Sequence, residues 1–283
     1  MFFLQLKHEL WKLFGKKRTY IGFGAFLLVQ LAVILMFRYT KAAGAIRRAL
    51  EGGGYSAVDF LTAGTIATQI VIPVAYLLLP LYVTLVGGDL VAKETEDGTM
   101  RMILARPISR LRLLTLKWSA GTLFSFTLSL ILGGFGWLLA SFWFPQGGLF
   151  AIQIDGGGPG GGFAVFGPAE GAWRYATAHA LLATKAVTLL SLAFLFSCFN
   201  MKPAAATILA LSVMFVNVIL MNIPWFADYK SWFLTHHLNL WQWMFLQTTP
   251  VTRMAESLCL LFGFNVTFFA IGAATFQVRD IKS

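Results

Sequence analysis

Six long apolar runs, at about 19–38, 66–88, 113–142, 176–199, 203–223 and 253–276, constrain this chain more than any other feature. Each supplies the roughly 17–25 residues that a tilted helix needs to cross a hydrocarbon core. Lipid offers a backbone N–H or C=O no hydrogen-bond partner, so such runs must close their own bonds as α-helices. Charge content agrees: 12% of the 283 residues are charged and 58% hydrophobic, where a soluble domain carries about 25% charged residues. The expected fold is an all-α polytopic membrane protein, with residues 1–283 forming one transmembrane domain.

An amphipathic element precedes the first span. Phe3, Leu6, Leu10 and Phe14 recur at helical spacing, while Gln5, Glu9, Lys12 and Lys16 follow another face. That pattern predicts a helix over about 1–15 lying in the membrane interface. Gly15-Lys16-Lys17-Arg18 separates it from the first span. The run from Tyr20 to Phe37 is longer than the about 7–15 residues of a signal-peptide core, and no small-x-small cleavage site follows it. A retained helix is expected.

An even number of spans puts both ends of the chain on one side. Fourteen lysines and arginines fall on that side and seven on the other, which by the positive-inside rule makes it cytoplasmic. The net charge of +10 therefore reads as membrane topology, in a cell (inner) membrane, with lipid and not nucleic acid as the partner. The basic stretch from Arg38 to Arg48 runs against the rule and is expected to snorkel or pack on the outer surface.

The outer loops are unequal. In 143–175, two β-prone runs, Leu149–Ile154 and Phe163–Phe166, flank a glycine-rich turn and suggest an external hairpin, with a glycine-rich flexible loop as the equal alternative. In 224–252, Trp225, Trp232, Trp241 and Trp243 suit a headgroup boundary and predict a re-entrant or interfacial helical hairpin before the last span. Gly133-Gly134 and Gly136 predict a bend in the long third run or an early end to it. Asn200-Met201-Lys202-Pro203 is a tight turn whose proline suits a helix start.

The inner loop 89–112 carries the functional argument. Asp97-Gly98 predicts a turn with glycine at positive φ, and Thr99 is the expected cap of a short helix. Met100, Ile103 and Leu104 give that helix an apolar face, Pro107 ends it, and Ser109 can cap the helix that follows. Glu94-x-x-x-Gly98-Thr99, followed by Arg106-Pro107-Ile108-Ser109-Arg110, resembles the signature of ABC transporter permeases of the type-2, six-helix exporter class. The closing run Phe276-Gln277-Val278-Arg279-Asp280-Ile281 and the amphipathic opening helix, called an elbow helix there, also resemble that class.

The resemblance implies a permease subunit that forms half of a translocation pathway with a second copy or a paralogue, meeting it through the first and fifth spans. It implies ATPase subunits that grip the short helix at 98–106, the coupling helix, and drive alternating access in the direction of export. Glu94, Gly98, Thr99, Arg101, Pro107 and Arg110 would then belong to the coupling surface. The long outer loop 143–175 departs from the shortest members of the class.

No G-x-x-x-x-G-K-[ST] run occurs, so a phosphate-cradling loop must come from another chain. ATP and Mg2+ are expected on a separate P-loop ATPase subunit, with no cofactor bound by this chain. Adjacent His236 and His237 point about 100° apart on a helix and read as structural, without H-E-x-x-H or another metal pattern. Cys198 and Cys259 read as small core residues. Lys185, about a third of the way along the fourth run, is the candidate substrate or cavity residue, set against snorkelling or a bond to backbone carbonyls. A stand-alone carrier or channel is the alternative, disfavoured because no run carries a central Asp or Glu.

Overall fold

The computed structural model describes residues 2–105, 107–153 and 162–279. An opening helix α1 (Phe2–Gly15) leads into α2 (Lys17–Tyr39), and the short helices α3 (Ala43–Gly52) and α4 (Ala57–Phe60) follow. The second span is α5 (Ala63–Pro73) and α6 (Leu79–Glu96), joined by a π-helical turn at Val74–Leu78. Then come α7 (Thr99–Leu104), α8 (Arg110–Trp143), the strands β1 (Leu149–Ile152) and β2 (Phe163–Phe166), α9 (Pro168–Ser197) and α10 (Pro203–Met221). A 3-10 turn at Pro224–Trp232, α11 (Leu234–Leu238), a second 3-10 turn at Leu240–Phe245 and α12 (Val251–Val278) complete the chain. Among the described residues, six helices are long and apolar enough to cross a membrane.

Several helices outrun their apolar runs, for local reasons. The second span covers Ala63–Glu96, 34 residues, or about 50 Å at 1.5 Å per residue against a hydrocarbon core of about 30 Å. Thr62 caps its start by accepting the Thr65 N–H, and Lys93 pairs with Glu96 and Asp97 along its polar end. The π-turn follows Pro73, whose missing N–H breaks the regular ladder. In α9, Pro168 stands in the first turn and Glu170 pairs with Arg174 at 2.8 Å, so two polar turns precede the apolar run.

α9 is the axis of the bundle. In its most apolar stretch 72% of residues are buried, against 17% in α2 and 22% in both α10 and α12. The three poorly buried spans therefore expose apolar flanks. Close approach to α9 uses small residues, as helix packing in lipid requires. A Cβ on Gly87 would lie 2.6 Å from the Leu190 carbonyl oxygen, and one on Gly133 would overlap the His179 ring. α8 runs unbroken through Gly133, Gly134 and Gly136 to Trp143, so the helix does not end early there; Gly133 is a contact point with α9. Polar side chains add cross-links: Ser129 Oγ donates to the His179 carbonyl, Tyr175 OH to Gly133, and Trp118 Nε1 to Ser191 Oγ.

At the hairpin end, β1 and β2 pair antiparallel with Leu149 opposite Phe166 and Ile152 opposite Phe163. Residues 154–161 of the glycine-rich turn lie outside the described residues. The Phe150 N–H donates to Thr65 Oγ1, which fastens the hairpin to the head of α5. The awkward basic stretch resolves into amphipathic α3: Ile46 and Leu50 pack against Phe150, while Arg47 and Arg48 face outward.

The segment before the last span divides in two. Trp225 and Trp232 stand exposed on the first 3-10 turn, whereas all of Leu240–Phe245 is buried. Arg174 fixes the buried half, donating to the Met244 and Leu246 carbonyls at 2.7 Å each with its guanidinium over the Phe166 ring. The two cysteines part company: Cys198 is buried, but Cys259 is exposed on a flank of α12, so only the first is a core residue. An apolar sequence neighbourhood cannot distinguish a lipid-facing position from a core one.

Candidate functional site

At the end opposite the hairpin, α6 turns into α7 through Asp97 and Gly98. Gly98 has φ +70°, a conformation costly for a residue with a Cβ, and its N–H donates to the Thr95 carbonyl. Gly98 itself is the N-cap of α7. Thr99 does not cap the helix as expected: its Oγ1 donates to the Glu94 carbonyl, back across the turn. The left-handed glycine already sets the entry angle, which frees the threonine to seal the end of α6. Ser109 does cap α8, accepting the Arg112 N–H.

α7 is two-faced. Met100 is fully buried, and Ile103 and Leu104 pack against the core. Arg101 is exposed, Met102 is 67% exposed, and Pro107 is exposed just beyond the helix. Arg106 lies outside the described residues.

The other motif residues point inward. Glu94 Oε1 lies 2.6 Å from Lys117 Nζ on α8 and 3.5 Å from Lys12 Nζ on α1. Lys117 and Lys12 also reach Glu9 on α1, at 3.4 and 2.6 Å. Two acids and two lysines thus alternate in one cluster that binds α1, α6 and α8 beneath α7. Burial would raise the Glu9 carboxyl, but Lys117 and Lys12 outweigh it and hold the group below its ordinary 4.5. Burial would lower the Lys12 ammonium, but Glu9 and Glu94 hold it above its ordinary 10.5. Arg18 adds a link from the start of α2 to Asp89 at 2.7 Å.

Arg110 serves a different joint. Its Nη1 donates to the carbonyls of Phe276, Gln277 and Arg279, closing the end of α12. Arg279 does the same for α9, donating to the Cys198 and Phe199 carbonyls and to Asn200 Oδ1. Both satisfy carbonyls that a helix C-terminus leaves unpaired. Asp280 and Ile281 of the closing run lie outside the described residues.

Lys185 stands about 26 Å along α9, past the middle of the helix. It is 4% exposed, donates to Asn239 Oδ1 at 3.3 Å, and holds its ammonium 4.8 Å from the centre of the Tyr76 ring. Tyr76 belongs to the π-turn of the second span and also receives a hydrogen bond from Gln242 Nε2. Snorkelling is thus replaced by enclosure: the 234–245 segment dips along α9 to meet the lysine. The histidine pair is structural at His237, whose Nε2 lies 2.9 Å from the Ser231 carbonyl and whose Nδ1 lies 2.9 Å from Ser257 Oγ.

Of the six residues expected at the coupling surface, Arg101 and Pro107 face outward, Gly98 and Thr99 form the turn, and Glu94 and Arg110 brace it from within. Glu9, Lys12, Lys117 and Met102 were not foreseen as members of this site. A lysine at the head of a span with no acid within reach on its own helix was the available signal for Lys117.

The family described as ABC-2 family transporter protein matches residues 6–281. No curated protein matches the chain.

Proposed function

The chain belongs to the ABC-2 transporter family, and on that premise we propose that it forms half of a translocation pathway opened by ATP hydrolysis in a separate P-loop ATPase subunit. It is an ABC transporter permease and integral to a membrane. The α1 end is assigned to the cytoplasm and the direction to export, with ATP and Mg2+ on the ATPase.

One observation carries the coupling assignment. α7 is seated on the core by Met100 and tied to the end of α6 by Thr99, whose Oγ1 donates to the Glu94 carbonyl, yet it presents Arg101 and Met102 to the outside. A short helix that cannot yield locally transmits a push to whatever holds it. Here the holders are α6 through the Gly98 turn, α8 through the Lys117–Glu94 pair, and α1 through Glu9. α6 and α8 both grip α9, so motion at α7 reaches the Lys185 enclosure through packed helices. Lys185 is assigned to the route itself, as a buried lysine poised between Tyr76 of the second span and Asn239 of the segment before α12. The exposed apolar flanks of α2 and α10 are the surfaces assigned to a second copy or paralogue.

The test is a photo-cross-linking residue placed at Met102, with the same residue at Trp225 as the control at the opposite end. Capture of a P-loop ATPase from native membranes at 102 and not at 225 supports the assignment. Capture at neither position, from well-folded chains, removes it.

A further inference from the structure

A cavity of about 1010 Å3 opens at the hairpin end between α10, α12 and the 224–250 segment. That is at the top of the roughly 300–1,000 Å3 range of ligand pockets. Its wall is rich in donors. Among the described residues that line it, Lys230 and Arg253 stand against one carboxylate, Glu256. Asn239 lines it too, and the amide oxygen of Asn239 is engaged by Lys185 from behind. An asparagine whose oxygen is held in this way offers its remaining face, the amide N–H groups, to a ligand.

The neighbouring histidine does not compete. The Ser231 carbonyl can only accept, so His237 Nε2 carries the proton there, and in the neutral ring Nδ1 accepts from Ser257 Oγ. Both ring nitrogens are committed to the wall. Trp232 and Trp243 flank the cavity, and its floor continues over Leu260 and Phe264 along α12, a helix with an exposed apolar flank. A donor-lined head, amphipathic aromatics and an apolar exit have one chemical complement.

We propose that this cavity binds an anionic amphiphile, its acidic headgroup on Asn239, Lys230 and Arg253 and its hydrocarbon tail along Leu260 and Phe264 of α12. As a step on a transport route it rests on the permease reading; as a binding site it does not. Lys185 acts as a positioning residue, orienting Asn239 through the hydrogen bond to its amide oxygen.

The test uses the full chain in mild detergent, with dioleoyl phosphatidylglycerol as probe, dioleoyl phosphatidylcholine as its uncharged-sum counterpart, and retention read by native mass spectrometry. A preference for the anionic lipid of about tenfold or more is expected, the worth of one charge-assisted hydrogen bond. Lys230→Gln with Arg253→Gln should bring the two lipids near parity. Glu256→Gln, which removes the one opposing charge from an exposed position, should widen the preference. Inorganic phosphate should not displace the lipid. Equal retention of both lipids overturns the proposal, as does a preference unmoved by the Arg253 and Glu256 variants. Displacement by phosphate alone overturns the amphiphile part, leaving a simple anion site. A chain that recruits its ATPase yet retains both lipids equally loses this inference and keeps its permease assignment.

Discussion

Replacing Lys117 with methionine should loosen α1 from the bundle without unfolding the spans. Lys117 is 1% exposed and sits between Glu94 at 20% and Glu9 at 16%, so the cluster belongs to the buried regime. Removing one partner of a buried pair costs about 3–5 kcal/mol, mostly because the remaining charges stay desolvated. Lys12 still bridges both acids in the variant, at 48% exposure, and an exposed pair recovers at most about 1 kcal/mol. The net cost is about 2–4 kcal/mol. Hydrogen exchange on α1 amides reads it directly, as a rise of about 30- to 1,000-fold in local opening. Lys12→Met should raise it less than about tenfold. Adding Glu9→Gln and Glu94→Gln to Lys117→Met should restore most of the protection, because no poorly hydrated carboxylate is then left without a partner, and the half-exposed Lys12 ammonium keeps its hydration. Equal effects from Lys12 and Lys117, or no rescue by the neutral triple variant, would refute the reasoning.

The same cluster sets a pH dependence. The Glu9 carboxyl is held below its ordinary 4.5 in the folded chain, so its contribution to α1 docking is complete above about pH 4.5 and is lost as pH falls through the lowered value; exchange of α1 amides rising already between pH 7 and 5 would contradict this. Gly98→Ala should cost about 1–2 kcal/mol through left-handed strain alone, since a Cβ there meets open space, and Gly98→Asn should cost less; thermal unfolding of the two variants compares them. Arg110→Ala removes three hydrogen bonds to the end of α12 and should raise hydrogen exchange there by about tenfold or more while leaving α7 unchanged. Gly87→Ala drives a Cβ against the Leu190 backbone and should cost about 1–3 kcal/mol, with a matching fall in thermal midpoint.

Much of what is local was legible in the sequence, though not the Thr99 hydroxyl, which turns back to Glu94 instead of capping α7. An apolar run of membrane length declares a helix by itself, and so do the Gly98 turn and the Ser109 cap, because each depends on neighbours within a few residues. The ion cluster was not legible: Glu9 and Lys117 are 108 positions apart, and nothing in either neighbourhood names the other. The start of α9 was hidden because its first turns are held by a proline and a Glu170–Arg174 pair in place of apolar residues. Glycines carry the same ambiguity. Gly133 loosens an isolated helix on paper, but in the bundle it admits the His179 ring. The outward and inward halves of the motif were equally beyond reach, since both are charged or polar and only packing separates Arg101 from Arg110.

The measurement to make is co-purification of a P-loop ATPase from native membranes, with the native chain and with Arg101→Glu plus Met102→Glu, two exposed positions on α7 whose replacement leaves the braces intact. If α7 is the coupling surface, the native chain brings down ATP-hydrolysing activity and the variant, equally stable and equally abundant, does not. A well-folded native chain that brings down no ATPase, or a variant that retains all of it, would contradict the assignment.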